Sequence, residues 1–469
     1  MHYVFVTAYL VLEVVAVYFA WRIISTARTP QGSVAWVAVL LAAPFIGVPA
    51  FLFLGHHKIA HYLVSRRESE LVAAGIRDAA RRHAPDTVPE VDPRPFEHLA
   101  ELPVVRGNDM TLLVDGQATF DAIFAAIDDA QHYVLVQFYI VRDDDLGRAL
   151  RDRLVAAAER GVSVRLLFDP VGSHKLPREY YDVLRRAGVR MIDPRKKQRG
   201  ADHRFQLNFR NHRKTVVVDG RVGFIGGHNV GDEYIGRSPR FGHWRDTHVA
   251  LRGPIVAQLQ LIFTEDWHWQ SDEVIISELY WEQDHAERDM SGLIVATGPG
   301  DDMETGALFF FSAIAAARHR LWIASPYCVP DTDVLTALKH AALRGVDVRL
   351  LVPDVIDHRM PWLAGFAYFD ELRETGVQIL RYTDGFMHQK VVVVDETLAA
   401  IGTSNLDNRS FRLNFEAMAV MFDARAASDA SAMLEADFQQ AFRLEQSLED
   451  QALWIRLGAP VARLFAPVL

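Results

Sequence analysis

The second half of the chain repeats the first, and this duplication is the strongest constraint on the fold. An apolar strand pattern, a helical pattern that ends in Arg-Gly-Val and a second apolar strand recur in order, at 133–139, 160–162 and 164–168, and again at 321–327, 344–346 and 348–352. Strands that alternate with helices indicate α/β units with mixed, mainly parallel sheets flanked by helices. Two such units in one chain predict a duplicated domain with pseudo-twofold symmetry.

Each half also carries the same spaced set of polar residues. Both copies consist of a histidine, a lysine two positions later, an aspartate five positions after that and the asparagine of a Gly-x-x-Asn turn: His212, Lys214, Asp219 and Asn229, then His388, Lys390, Asp395 and Asn405. One such set is compatible with chance. Two sets at equivalent places of a duplicated fold indicate a functional motif.

The residue types of this motif favour a phosphate site. The residues between lysine and aspartate are nearly all valine, which predicts a buried strand on which histidine and lysine share a face. Protonated lysine has no lone pair for a metal, and Cys328 is the one cysteine, so we expect neither a metal nor a cofactor. A histidine can instead attack phosphorus and form a phosphohistidine, while the second histidine protonates the leaving oxygen.

The lysines and asparagines of the motif complete this hypothesis. Lys214, Lys390, Asn229 and Asn405 are expected to stabilise the equatorial oxygens of the phosphate. The alternative is a pair of core histidines with structural hydrogen bonds. It would bury two lysines without a ligand, which is costly.

A histidine nucleophile needs its second ring nitrogen held by an acceptor. Glu416 lies 28 residues after His388, and Asp246 lies 34 residues after His212. We expect both carboxylates to orient the histidines, as in a catalytic triad, with plain surface carboxylates as the alternative. Asp219 and Asp395 end the motif strands, so they are expected to brace the turn or a neighbouring lysine rather than contact substrate.

Two apolar stretches near the N-terminus predict membrane helices. Val4–Ile24 and Val34–Leu54 each contain 21 residues, and such helices reach about 30 Å, the thickness of a bilayer's hydrocarbon core. Thr29-Pro-Gln-Gly32 predicts a tight turn between them, so residues 1–64 are expected to form a transmembrane hairpin. A cleaved signal peptide is disfavoured because the basic n-region is missing. A buried soluble hairpin is the other alternative.

The distribution of charge and proline predicts the membrane orientation, the domain boundaries and the partner class of the rest of the chain. The segment after the hairpin has more positive residues than the loop within it, which favours a cytoplasmic body on a multi-pass membrane protein. A charged and then proline-rich linker at 65–100 leads to two domains at 101–285 and 286–469. The net charge is −10 overall and −12 after residue 64, which argues against a nucleic-acid partner.

At these residues the sequence resembles the phospholipase D superfamily, which is defined by paired H-x-K-x4-D motifs, and within it the bacterial cardiolipin synthases. Further likeness lies at 226–234, 240–246, 264–267, 325–331 and 405–416 and in the N-terminal hairpin. The resemblance implies transfer of a phosphatidyl group between two phosphatidylglycerol molecules at a membrane, giving cardiolipin and glycerol. It also implies catalytic roles for the motif residues, with His212 as nucleophile: His212, Lys214, Asp219, His388, Lys390 and Asp395.

Three other functions share parts of this pattern. A hydrolytic phospholipase D forms the same phosphoenzyme but passes the phosphatidyl group to water, and a membrane anchor does not distinguish the two acceptors. A nuclease of the same superfamily is disfavoured by the acidic body and the anchor. A catalytically inactive membrane scaffold is disfavoured by intact histidines and lysines in both motifs.

Overall fold

The computed structural model divides into two compact units, residues 1–59 with 195–209 and residues 60–194 with 210–469. The residues that the structure describes are 2–26, 30–54, 75, 77, 82–192, 209–301 and 303–469. Most of the charged part of the predicted linker, from 65 to 81, lies outside the described residues.

The described residues of the N-terminal unit form three helices: α1 (His2–Thr26), α2 (Pro30–Ala42) and α3 (Pro44–Leu54). The prediction of one helix over 34–54 is wrong, because Pro44 has no N–H to donate and begins a new helix. Of the predicted turn at 29–32, residues 30–32 belong to α2 and residue 29 lies outside the described residues. Within the described residues, no helix is both long and apolar enough to be identified as crossing a membrane.

Aromatic contacts join these three helices. The ring of Phe51 on α3 lies 5.0 Å from that of Phe19 on α1 and 5.3 Å from that of Trp36 on α2. Gly47 permits the close approach, because a Cβ there would come within 2.8 Å of the backbone of Leu40. The apolar residues of this unit therefore form a small core of their own.

The second unit, the body, alternates strands and helices. Its first half contains α4 (Arg94–Ala100), β1 (Val105–Val114), α5 (Asp115–Asp128), β2 (Tyr133–Phe138), α6 (Asp145–Glu159), β3 (Ser163–Phe168), α7 (Arg178–Arg186), β4 (Arg190–Met191), β5 (Arg210–Asn211), β6 (Thr215–Val218), β7 (Val222–Gly226), β8 (Trp244–Arg245), β9 (Thr247–Arg252) and α8 (Ile255–Ser271). Its second half contains β10 (Met290–Thr297), α9 (Thr305–Ala316), β11 (Arg320–Ala324), β12 (Cys328–Val329), α10 (Thr332–Leu343), β13 (Asp347–Pro353), α11 (Arg359–Arg373), β14 (Gln378–Tyr382), β15 (Phe386–Met387), β16 (Val391–Val394), β17 (Leu398–Gly402), β18 (Leu406–Asp407), α12 (Asn408–Arg412), β19 (Asn414–Met421), α13 (Ala424–Phe438), β20 (Ala441–Arg443) and α14 (Leu453–Arg463).

Equivalent strand orders confirm the predicted duplication. The order is β1-β9-β7-β6-β2-β3-β4 in the first half and β10-β19-β17-β16-β11-β13-β14-β20 in the second. Antiparallel pairing of β1 with β10 joins the two halves into one 16-stranded sheet. The body is therefore a mixed α/β fold made of two related halves.

The expectation of mainly parallel sheets is wrong. In each half the four pairs from β1 to β2, or from β10 to β11, are antiparallel, whereas the outer pairs β2–β3–β4 and β11–β13–β14 are parallel. A short turn at 219–221 connects β6 to β7, and its equivalent at 395–397 connects β16 to β17. Such turns join antiparallel strands, whereas parallel strands need a long crossover.

Helices cover both faces of the sheet, so the motif strands are buried on both sides. Val217 of β6 packs towards α8, while Val216 and Val218 pack towards α5, α6 and α7. The proline-rich segment, which was predicted to be a linker, belongs to the body. Its helix α4 packs Phe96 against Phe309 and Phe422 of the second half. This doubly covered sheet gives the motif residues a rigid support.

Candidate active site

The two copies of the motif meet at one cavity. His212 and His388 line this cavity of about 710 Å³, together with Asn229 and Asn405. In the structure β6 begins at Thr215, so the first histidine and lysine stand just before the strand rather than within it. The duplication therefore places one histidine from each half at the same site.

Two short strand pairs between the halves fix the histidines. Parallel pairing of β5 with β19 carries His212 next to Glu416, and its backbone N–H donates to the carbonyl of Phe415 at 3.0 Å. Parallel pairing of β8 with β15 in the same way carries His388 next to Asp246, and its N–H donates to the carbonyl of Arg245 at 2.8 Å.

Each histidine is held by a carboxylate of the opposite half. Nδ1 of His212 lies 2.9 Å from Oε2 of Glu416, and Nδ1 of His388 lies 2.7 Å from Oδ2 of Asp246. Because an ionised carboxylate accepts only, Nδ1 carries the donated proton and Nε2 keeps the lone pair. The sequence singled out both carboxylates, but each lies far along the chain from the histidine that it contacts.

The two carboxylates are buried and ionised. Burial alone would raise the pKa of Glu416, but His212 and Lys214 reverse this and lower it. Burial would likewise raise the pKa of Asp246, and His228, His388 and Lys390 lower it well below its usual range.

Burial keeps both histidines neutral. Burial lowers the pKa of His212 to about 4, although Glu416 acts in the opposite direction. Burial also lowers the pKa of His388 to about 3, with a further decrease from the nearby Lys390. An unprotonated imidazole is the form that can attack phosphorus.

The lysines lie beneath the histidines and are fully buried. Nζ of Lys214 donates to the carbonyl of His212 at 2.6 Å, and Lys390 makes the same contact with His388. Burial lowers the pKa of Lys214 to about 7 and that of Lys390 to about 8. Both ammonium groups therefore titrate close to neutral pH.

The motif aspartates lie at the other end of the strands and brace the turns. The carboxylate of Asp219 accepts the N–H groups of residues 131–133 at 2.8 Å, and that of Asp395 accepts those of 318–320. Both have positive φ, 53° and 49°, a conformation that aspartate tolerates better than most residues. Neither lines the cavity, so the structure does not bring them to the histidines.

Sequence reasoning missed the basic wall of the cavity. Cationic side chains from loops, from β5 and from the first residues of α11 and α12 line it beside the motif: Arg142, Lys175, Arg210, Arg240, Arg359 and Arg409. Two of them could have been identified from their spacing to the motif, because Arg210 lies two residues before His212 and Arg409 lies four residues after Asn405. The positive charge expected at the lysines therefore extends across the cavity.

Comparisons with known proteins agree with this geometry. A family model described as "Cardiolipin synthase, PLD-like domain" matches residues 123–267 and again 310–441, and one described as "Phospholipase_D-nuclease N-terminal" matches 14–56. The chain is 43% identical to cardiolipin synthase A of Pseudomonas putida (strain GB-1), over 98% of this chain and 97% of that protein. It is 44% identical to cardiolipin synthase A of Pseudomonas aeruginosa (strain LESB58), over 98% and 95%.

A solved structure shares the fold. Phosphatidylserine synthase of Haemophilus influenzae Rd KW20 aligns with a TM-score of 0.58 at 14% identity, covering 80% of this chain and 99% of that one.

Proposed function

Because this chain belongs to the bacterial cardiolipin synthase family of the phospholipase D superfamily, we propose that it transfers a phosphatidyl group from one phosphatidylglycerol to another, giving cardiolipin and glycerol. One observation carries the proposal. His212 and His388 line the same cavity, each with its Nδ1 held by a buried carboxylate. This arrangement supplies two imidazoles that present Nε2 to one phosphate.

In the first step Nε2 of His212 attacks the phosphorus of phosphatidylglycerol. A P–N bond forms, and the bond from phosphorus to the glycerol oxygen breaks. His388 gives a proton from Nε2 to this oxygen, so free glycerol leaves and phosphatidyl-His212 remains. His388 must be protonated for this step, and the negative charge of the bound phosphodiester raises its pKa from the low value that burial gives it.

In the second step a second phosphatidylglycerol enters the cavity. The neutral His388 takes the proton of its terminal hydroxyl, whose oxygen then attacks phosphorus and breaks the P–N bond. Cardiolipin leaves and both histidines return to their starting forms. Lys214, Lys390, Asn229 and Asn405 stabilise the negative oxygens in both steps, without a metal or cofactor.

The N-terminal unit serves as the membrane anchor in this proposal. Its apolar segments at 4–24 and 34–54 form a hairpin in the bacterial inner membrane, with the body on the cytoplasmic side as the flanking charges favour. An anchor of this kind keeps the cavity at the lipid surface, where both substrates are concentrated.

The experiment is to reconstitute the full-length protein in vesicles that contain phosphatidylglycerol labelled in the glycerol headgroup and in the phosphate. Cardiolipin together with free glycerol is the expected result. Phosphatidic acid as the sole phosphate-labelled product would replace the transferase with a hydrolytic phospholipase D. Activity that disappears with EDTA would overturn the two-histidine mechanism.

A further inference from the structure

The C-terminal helix α14 exposes an apolar stripe that the reaction itself does not use. Its members lie on one face of the helix and its continuation: Leu453, Trp454, Leu457, Val461, Leu464 and Phe465. At 100° per residue they span about 120° of the helix circumference. Three of them are about two-thirds exposed or more: 67% of Leu453, 66% of Leu457 and 78% of Leu464 is accessible to solvent.

The opposite face fixes this helix on the body. Ile455, Ala459 and Ala462 are buried in the core of the second half. Trp454 stacks on Trp362 of α11, with ring centroids 5.7 Å apart and planes inclined by 8°. The stripe is therefore held outward by a rigid support, and a contiguous apolar surface of this kind marks an interaction site.

Charge favours an anionic lipid surface as the occupant. Residues 453–469 contain two arginines and no acidic residue, although the chain after residue 64 carries a net charge of −12. Arg456 and Arg463 lie on one flank of the stripe by helical geometry, and Arg463 also forms an ion pair with Glu371 of α11 at 3.2 Å. An apolar face with flanking arginines and a tryptophan is typical of a helix that lies in the bilayer interface.

The chain continues from the stripe to the active site. Beyond Phe465 the chain turns back, and Val468 and Leu469 line the cavity that holds the two histidines. The carbonyl of Leu469 accepts the N–H of Arg409 at 2.7 Å, which ties the chain end to the basic wall. The exposed stripe and the cavity lining are therefore separated by only two residues along the chain.

We infer that α14 is an interfacial helix that docks the body on an anionic bilayer and so places the cavity mouth against its lipid substrates. The inference rests on the proposed lipid substrate. It adds a second membrane contact, independent of the N-terminal unit, whose occupant is the lipid surface itself.

A fluorescent label on Leu457→Cys tests this contact in the full-length protein. Cys328 is buried, and burial raises the pKa of its thiol to about 12, so the label attaches to the new cysteine. In phosphatidylglycerol vesicles we expect quenching by nitroxide-bearing lipids and protection from aqueous iodide. Quenching by iodide would overturn the proposal, and protection from both quenchers would assign the stripe to a protein contact instead.

Leu343→Cys is the matched control. Leu343 is 70% exposed at the end of α10, which runs from the cavity edge of the sheet towards the edge where β11 and β13 begin. We expect iodide to quench this label. The measurement needs no turnover, so it separates failure of the docking inference from failure of the proposed reaction.

Activity gives a second test. Leu457→Asp should lower the ratio of turnover on vesicles to turnover on monomeric short-chain phosphatidylglycerol by about tenfold or more, because a charge replaces an exposed leucine that inserts into the bilayer interface. Leu343→Asp should leave this ratio unchanged. An unchanged ratio in Leu457→Asp would contradict the docking role.

Discussion

Glu416 and Asp246 occupy equivalent places in the two halves but are supported differently. Glu416 accepts hydrogen bonds from the hydroxyls of Thr403 and Ser410, at 2.6 and 2.9 Å, in addition to the one from His212. Asp246 accepts the N–H of Thr247 at 2.8 Å and the bond from His388. The second half thus surrounds its carboxylate with hydroxyl donors, and the first half does not.

The sequence difference at one turn explains this contrast. Gly227 stands where the second half has Thr403, and a Cβ at Gly227 would come within 2.0 Å of the Asp246 carboxylate. The shorter aspartate therefore sits close to the turn, whereas the longer glutamate leaves room for a threonine hydroxyl. The duplication has kept the contact between carboxylate and histidine while its supports diverged, as expected if the two histidines perform different chemical roles.

The largest expected effect separates the two histidines. His212→Ala and His388→Ala should each lower kcat by at least about 10⁴-fold, because each removes a group that acts on the reacting atoms. The variants should differ in the covalent intermediate. With phosphate-labelled phosphatidylglycerol and rapid denaturation, we expect labelled protein from His388→Ala and none from His212→Ala. The opposite result would move the nucleophile to the second half.

The orienting carboxylates come next. Glu416→Gln and Asp246→Asn should each lower kcat by about 10³-fold, because an amide can present its NH2 to Nδ1 and favour the wrong tautomer. Glu233→Gln is the control, since Glu233 lines the cavity but contacts Arg142 rather than a histidine. We expect less than a tenfold change there. Near-normal turnover in Asp246→Asn would show that only one half needs its carboxylate.

The lysines set the pH dependence. Each loses its proton as pH rises through its lowered pKa, about 7 for Lys214 and about 8 for Lys390, and with it the attraction for an anionic lipid. kcat/KM, which reports the free enzyme, should therefore fall on the alkaline side in two successive steps. Lys390→Met should lower kcat/KM by about 10²-fold and leave a single step. A profile that stays flat to pH 9 would contradict this assignment.

The smallest effect tests the difference between the halves. Thr403→Val keeps the shape of the side chain but removes one hydroxyl donor from Glu416, a loss of about 1 kcal/mol, so kcat should fall about fivefold. Ser404→Ala is the matched control, because this buried hydroxyl has no hydrogen-bond partner among the described residues. It should keep normal kcat. Equal effects of the two substitutions would show that the threonine does not support the carboxylate.

Much of the fold followed from pattern. The recurrence of strands and of the motif predicted two related halves, and the valine runs after each lysine predicted buried strands. Strand direction could not be predicted in this way. Alternating strands and helices suggest crossovers between parallel strands, whereas the motif strands are connected by the short turns at 219–221 and 395–397. The apolar run at 34–54 likewise hid the helix boundary at Pro44.

Within the site, the sequence predicted which residues take part better than it predicted which of them contact each other. His212, His388 and both asparagines were assigned from the repeated motif and do line one cavity. The arginines of the wall were missed because they come from separate parts of the chain without a shared spacing. Arg240 and Arg359, for example, are brought together only by the fold.

The sequence by itself determined the duplication, the chemistry of the motif and the two carboxylates, because these depend on residue types and short spacings. The tertiary structure alone decided that the carboxylates are exchanged between halves. Pairing of β5 with β19 and of β8 with β15 carries Glu416 to His212 and Asp246 to His388, more than 140 residues away along the chain in each case. Contacts at that separation depend on how two symmetric halves face each other, which local spacing does not encode.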